Sequence, residues 1–418
     1  MAMYSESDGR YAVLLQYHYG VYTAGSTVSL FGMWAHKLAV AWLAWELTRS
    51  SLWVGAVAFS ELVPSLILAP YAGVIADRYD RRLITIISQL FGMLQAVLLG
   101  WLMLTGRLSE AADVWWLVAM SGFLGVVWSF NTAARLSMVP NLVAHRYILP
   151  AIAFNSAIYN LARIVGPALA GFIMVRWGVG EAFLFNALTF SVFIVTLLMI
   201  RQVRTEESRR GSGGAFAQSI EGLAYARRHA GIRPMLIILM AFAFGGKSLL
   251  ELLPEFADHV FGRGTQGLAD LTVAAGTGAL IASVWLAGRG TVIGLTDLVV
   301  KALLVLALAV SGLIVTDWFP LALGSMALLG AAGVIGGTGT QTLMQHVVDG
   351  GMRGRVMSLY GLIHRGGPAV GALTMGAAAD LVGIRFAAAS GAILCIGLWL
   401  WMIGRQKMTV SALEIRKE

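Results

Sequence analysis

The sequence predicts an all-α integral membrane protein, with twelve transmembrane helices in two pseudo-symmetric six-helix bundles. Three observations predict it. Of the 418 residues, 58% are hydrophobic and 12% charged, about half the charged share of a soluble domain. No single soluble core could hide that much apolar surface, so a bilayer must act as solvent. Apolar runs of the length a span requires, about 20 residues, recur along the whole chain, and the basic residues lie mostly to one side of them.

The first run, 14–46, is longer than one span needs, and its early part, with Tyr17, His18 and Tyr19, reads as an interfacial extension of the helix. Runs at 52–75, 83–105, 114–134, 148–175 and 181–200 follow across short polar breaks and complete an N-terminal bundle over residues 1–200. The longest break runs from Arg201 to Arg233. It opens with RQVRTEESRRGSGG, a polar glycine-rich linker, and continues as AQSIEGLAYARRHAGI, a short amphipathic helix. Residues 201–231 are therefore expected to be a basic cytoplasmic linker. The second bundle, 232–404, is read from runs at 232–256, 268–287, 293–316, 319–345, 357–383 and 386–404. The run at 293–316 is weakened by Asp297 and Lys301, but nothing else connects its neighbours. Residues 405–418 form a cytoplasmic tail.

With both termini in the cytoplasm, twenty of the thirty Lys and Arg residues lie on that side and five on the other. The remaining five, Lys37, Arg163, Lys247, Lys301 and Arg365, fall inside apolar runs. This is a strong positive-inside pattern. The net charge of +8 is spread over membrane-flanking loops, which argues against nucleic acid as a partner. A lone cysteine, Cys395, rules out an intrachain disulfide and reads as a small apolar side chain. The first ten residues, MAMYSESDGR, carry no small-residue cleavage site, so no secretory signal peptide is expected. The seven histidines have no metal-ligand spacing, and GGTGTQT (Gly336 to Thr342) lacks the lysine and strand context of a phosphate loop. No enzyme activity, cofactor or metal is expected.

The most specific segment is Gly73-Val-Ile-Ala-Asp77-Arg78-Tyr-Asp80-Arg81-Arg82. A glycine there permits close helix approach, Asp77 at a helix end accepts hydrogen bonds or meets a neighbouring terminus, and Arg78, Arg81 and Arg82 pair with carboxylates or headgroups. Such a network can latch one conformation. The segment resembles the signature loop of the major facilitator superfamily. The second half has no clear copy of it; WLAGRGTVIG stands there, with Arg289 as the obvious cation. Further stretches resemble the exporter branch of that superfamily, the transmembrane secretion effectors that include enterobactin exporters: Ser29 to Gly55, Asn131 to Gly171, MRGRVMSLYG from Met352 to Gly361, and GALTMGAAADLVGIR from Gly371 to Arg385. Within them, Arg163-Ile-Val-Gly166-Pro167-Ala-Leu-Ala-Gly171 resembles the fifth-helix antiporter motif. Proline favours a kink, and the glycines allow close packing.

Ionisable groups at membrane depth cost about 2.5–3.5 kcal/mol on insertion scales and face a cavity or a partner. Glu61, Glu251 and Glu255 are the candidate proton carriers. Lys247, Glu251 and Glu255 read as one stripe, with Lys247 and Glu251 also spaced for mutual neutralisation. Lys37, Arg163, Lys247 and Arg365 are candidates for an electropositive substrate cavity. His364 and Arg365 stand where the resemblance leads one to expect apolar residues. Tryptophans enrich the first half, Trp34, Trp42, Trp45, Trp53, Trp115, Trp116 and Trp128 among them, and sequence does not choose which of them line a cavity. The resemblance implies proton-coupled export of a small amphipathic or anionic solute, of drug or siderophore class, across a bacterial inner membrane by a monomer, with protons and membrane lipids as further partners. A facilitator or flippase of lipid-like amphiphiles, or a non-transporting membrane sensor or assembly factor on the same scaffold, stays open at this level.

Overall fold

The computed structural model describes residues 13, 16–200, 215–349 and 351–414. Residues 201–214, the whole polar glycine-rich stretch RQVRTEESRRGSGG, and residues 415–418 of the expected tail lie outside them. Among the described residues the regular structure is helical. The elements are α1 (Tyr17–Thr48), α2 (Ser51–Arg78), α3 (Arg81–Leu104), α4 (Val114–Met138), α5 (Ile148–Arg176), α6 (Val179–Met199), α7 (Ala215–Arg228), α8 (Ile232–Ala241), α9 (Ser248–Glu251), α10 (Leu253–Glu255), α11 (Gly264–Gly288), α12 (Leu295–Val315), α13 (Phe319–Val347), α14 (Arg353–Val382), α15 (Ile384–Ile403) and α16 (Gln406–Leu413). Among the described residues, ten helices are long and apolar enough to cross a membrane. At 32 and 30 residues, α1 and α14 have the length, but His36, Lys37, His364 and Arg365 lower their apolarity.

The chain divides into two units, one comprising Met1–Leu43 with Val63–Arg210, the other Ala44–Leu62 with Gly211–Glu418. In the first unit, α3 carries the signature of lipid as solvent. Leu83, Ile87, Leu90, Leu94, Val97, Trp101 and Leu104, spaced three and four apart on one helix face, are exposed. Thr85, Ser88, Gln89 and Gln95 on the other face are buried. Polar groups inside and apolar groups outside invert the soluble pattern, and turn the polar groups away from lipid. Ser29 Oγ donates to Gln89 Oε1 at 3.1 Å. The buried face packs on α6, where Gly92 meets the Phe190 ring and Gly100 meets Leu184. A second cluster joins Tyr19, Tyr22, Met138, Phe193 and Leu197, and Tyr19 Oη donates to the Ala151 carbonyl at 2.9 Å.

In the second unit, small residues bring backbones together. A Cβ at Gly278 or Gly330 would run into the backbone carbonyl of Ala327 or Ala275, so α11 and α13 are in direct backbone contact. After α8 the helix widens into a π-turn, Phe242–Lys247. Its two glycines are packed tight, Gly245 against Cys395 Sγ and the Gly391 carbonyl and Gly246 against Leu306. Cys395 is buried in that contact. A second π segment, Phe256–Val260, follows α10, so the seventh apolar run is an interrupted helix. At the other end of α8, His229 Nδ1 accepts from the backbone N–H groups of Gly231 and Ile232 at 3.1 and 3.3 Å. That satisfies donors a helix start leaves open. The amphipathic α7 packs on the first turn of α14, where Arg355 pairs with Glu221 at 2.5 Å.

Candidate functional site

The signature loop of the first unit is built around helix ends. Asp80 is the N-cap of α3, its carboxylate accepting from Arg82 N at 2.8 Å and Leu83 N at 3.4 Å. Arg81 donates through Nε to the Ala76 carbonyl at 3.2 Å and through Nη1 to the Ser137 carbonyl at 3.0 Å. Arg82 Nη2 donates to the Leu198 carbonyl at 3.0 Å. These three carbonyls lie in the last turns of α2, α4 and α6, where open acceptors and the negative end of the helix dipole favour a cation. Asp77 Oδ1 stands 3.7 Å from Arg81 Nη2, and Arg78 is exposed. The structure corrects the reading of Gly73. A Cβ there meets nothing within 4 Å, so Gly73 makes no close helix approach.

The close approach falls instead on α5. A Cβ at Gly166 would lie 2.9 Å from the Phe31 carbonyl oxygen and nearer still to Trp34 Cβ, which places α5 hard against α1. Pro167 lies inside α5, and Gly171 is buried. This contact gathers the cations of the first unit. The Arg163 guanidinium lies 5.4 Å and the Lys37 ammonium 5.9 Å from the Trp34 ring centroid, and the Tyr159 ring meets Trp34 edge-on at 5.9 Å. Both cations are within cation–π range. Trp34 is thus the tryptophan, undetermined from sequence, that sits between the predicted cavity cations.

In the second unit, Lys247 ends the π-turn with its Nζ 3.2 and 3.0 Å from His364 Nδ1 and Nε2. Tyr360, one turn before His364 on α14, stacks on its ring at 5.1 Å, lies 3.1 Å from Nδ1, and donates to the Gly337 carbonyl at 3.1 Å. Gly337 opens the space, since a Cβ there would stand 3.0 Å from His364 Cε1. Arg365 is exposed beside this group. The expected stripe of Lys247, Glu251 and Glu255 does not lie on one regular helix. The π-turn, the break at Leu252 and Pro254 intervene. Glu61 on α2 and Glu251 on α9 are half-buried, whereas Glu255 is 7% exposed.

Glu255 belongs to a polar cluster that sequence reasoning did not assemble. Its carboxylate accepts from Ser51 Oγ and lies 3.7 Å from His259 Nδ1. Asp258 accepts from Trp45 Nε1 at 3.0 Å and pairs with Arg49. Asp380 accepts from Ser51 N at 2.9 Å and from Ser50 Oγ. The two residues between α1 and α2 are the focus. Arg49 is the one described non-glycine residue with positive φ, at 51°, a left-handed conformation that costs energy. The polar run Arg49-Ser-Ser between two apolar runs was the available signal. For the Lys247–His364 pair it was a histidine within an apolar run.

The backbone superposes on solved transporters, among them the inward-open xylose transporter XylE from E. coli, with TM-score 0.66 at 15% identity, covering 97% of this chain and 99% of that one. A bacterial homologue of the iron transporter ferroportin, in an inward-facing state, matches with TM-score 0.68 at 16% identity over 92% and 98%. The chain belongs to the transmembrane secretion effector family, whose sequence pattern matches residues 9–415. It is a multi-pass membrane transporter and not an enzyme. Relatives include the staphyloferrin A transporter of Staphylococcus aureus, 25% identical over 92% of this chain and 96% of that one. Macrolide efflux protein A of Streptococcus pyogenes is 22% identical over 91% and 94%.

Proposed function

We propose that the chain is a proton-coupled exporter of a small anionic or amphipathic solute, of siderophore or drug class, working by alternating access as a monomer in a bacterial inner membrane. In this reading twelve helices form two six-helix bundles, residues 1–200 and 232–404, both termini face the cytoplasm, and lipids contact the exposed apolar faces. The observation that carries it is the gathering of cations with aromatic rings on apolar helices in each unit. Lys37 and Arg163 flank Trp34 in the first, and Lys247 meets His364 beside Arg365 in the second. Cations at membrane depth are costly, and an anionic solute lowers that cost in transit. An anion also leaves a cell down a negative-inside potential, which contributes about 2.3 kcal/mol per charge per 100 mV. A relative named for staphyloferrin A transport and one named for macrolide efflux support the solute class. The loop at Asp77, Arg78, Arg81 and Arg82 is the proposed conformational latch, the helix at Gly166, Pro167 and Gly171 the proposed antiport element, and Glu61, Glu251 and Glu255 the proposed proton carriers.

Purified protein in liposomes that enclose a pH-sensitive dye tests this. Siderophores, anionic amphiphiles and cationic drugs are applied to wild type and to Glu61→Gln, Glu251→Gln and Glu255→Gln. A pH change with an anionic or amphipathic compound, lost in one variant, is the expected result. Efflux of cationic dyes alone, unchanged by Lys37→Met or Arg163→Met, sinks the anionic assignment.

A further inference from the structure

We propose that α16 and Glu414 form the latch of the second unit, with the end of the chain supplying the carboxylate that the loop between α11 and α12 lacks. That loop, WLAGRGTVIG from Trp285 to Gly294, contains no Asp or Glu. Its one cation, Arg289, turns back on the loop and donates through Nη2 to the Ile293 carbonyl at 2.6 Å. The loop therefore brings no acceptor side chain to the N–H groups that a helix start leaves open. Glu414 meets them. Its Oε2 accepts from Gly294 N at 2.6 Å and its Oε1 from Thr296 N at 2.8 Å, and a carboxylate there also faces the positive end of the helix dipole. Gly294 is the N-cap of α12, so Thr296 is the second residue beyond the cap. At α3 the second residue beyond the cap is Arg82, whose N–H donates to Asp80. Glu414 thus does for α12, from the far end of the sequence, what Asp80 does for α3 within the signature loop.

Two further contacts hold α16 in place. Near its start, Gln406 Nε2 donates at 2.6 Å to Oδ1 of Asp297 in the first turn of α12, and Asp297 Oδ2 pairs with Lys301 one turn on at 2.6 Å. At its end, Leu413 is fully buried against Gly231, the N-cap of α8, where a Cβ would lie 2.5 Å from Leu413 Cγ. Since α16 follows directly on α15, it ties together the start of α8, the start of α12 and the end of α15. In the first unit Arg81 and Arg82 tie together the ends of α2, α4 and α6. Glu414 is a positioning residue in this device: it holds helix ends that have to move as one body. This deepens the latch reading of the first-unit loop. That α12 stands where α3 does rests on the proposed two-bundle arrangement; the contacts of Glu414 and Leu413 do not.

Amide hydrogen exchange of the full chain in nanodiscs, read by mass spectrometry, tests this without a transported solute, so its failure is separate from failure of the export reading. Exchange reports local opening. Glu414→Ala leaves Leu413 in place, and Leu413→Ala leaves Glu414 in place. We expect each variant to speed exchange about fivefold, the size of a lost cap, in two segments at once: 294–298 at the start of α12 and 231–236 at the start of α8. Glu414→Gln, which keeps an acceptor oxygen, stays within about twofold of wild type. A Glu414→Ala effect confined to 294–298 makes Glu414 a local cap alone and overturns the latch. A Leu413→Ala effect confined to 231–236, or no change at 294–298 in Glu414→Ala, overturns it as well.

Discussion

Gly73 and Gly166 both belong to sequence motifs in the first unit, and the same substitution at each has opposite outcomes. At Gly73 an added Cβ meets nothing within 4 Å. Gly73→Ala therefore keeps every contact and gains helix propensity, about 0.5–1 kcal/mol of stabilisation. At Gly166 the Cβ would lie 2.9 Å from the Phe31 carbonyl oxygen and 3.2 Å from Ala35 N, where ordinary contact begins at 3.4 Å. For Gly166→Ala to fit, α1 and α5 must part by half an ångström or more. Overpacking of that kind costs about 1–3 kcal/mol, which outweighs the propensity gain and leaves a net loss of about 1–2 kcal/mol. It also carries Trp34 away from Arg163. Thermal unfolding in detergent, followed by intrinsic fluorescence at a fixed scan rate because membrane proteins often unfold irreversibly, reads both variants. At roughly 2–4 °C per kcal/mol, Gly166→Ala falls by about 2–8 °C and Gly73→Ala rises or stays level. Equal shifts for the two variants would refute the assignment of the close approach to Gly166.

Four further outcomes follow from named contacts. Asp80→Ala removes the cap of α3 and costs about 1 kcal/mol, whereas Asp80→Asn, which keeps an acceptor, costs little; the same melting assay separates them. Burial holds the proton affinity of His229 below the ordinary histidine range, with Asp349 opposing that shift. The unfolded chain thus binds the proton more readily. Stability from this group is complete above about pH 6.5 and is lost as pH falls through and below that value. In a pH series of melting curves His229→Gln, whose amide oxygen accepts at any pH, flattens that slope; an unchanged slope counts against the capping role. Asp380→Ala deprives the start of α2 of its acceptor for Ser51 N and lowers stability by about 0.5–1 kcal/mol. Arg385→Ala breaks an exposed pair with Asp317 and changes stability by less than about 1 kcal/mol.

The sequence by itself determined the environment of this chain. Apolar runs and basic flanks act locally, because lipid and water select each segment by its own composition, and the matching helices follow. The latch segment and the Gly-Pro segment were legible for the same reason, since they are contiguous. Residues far apart in the chain were not legible. Lys247 and His364 stand 117 positions apart, and Asp258 and Arg49 stand 209 apart. Nothing in either local sequence names the partner, so the face that each helix presents was decided by packing alone. The π-turn before Lys247 shifts the register that a regular stripe through Glu251 and Glu255 assumed. Gly73 has the local look of a packing glycine and no neighbour to pack on, while Gly166 has one because α1 lies against it. Composition selects the solvent for each helix, and only tertiary structure decides which side chains share the space between helices, because that depends on backbone approach at single glycines and on the turn that carries each charge.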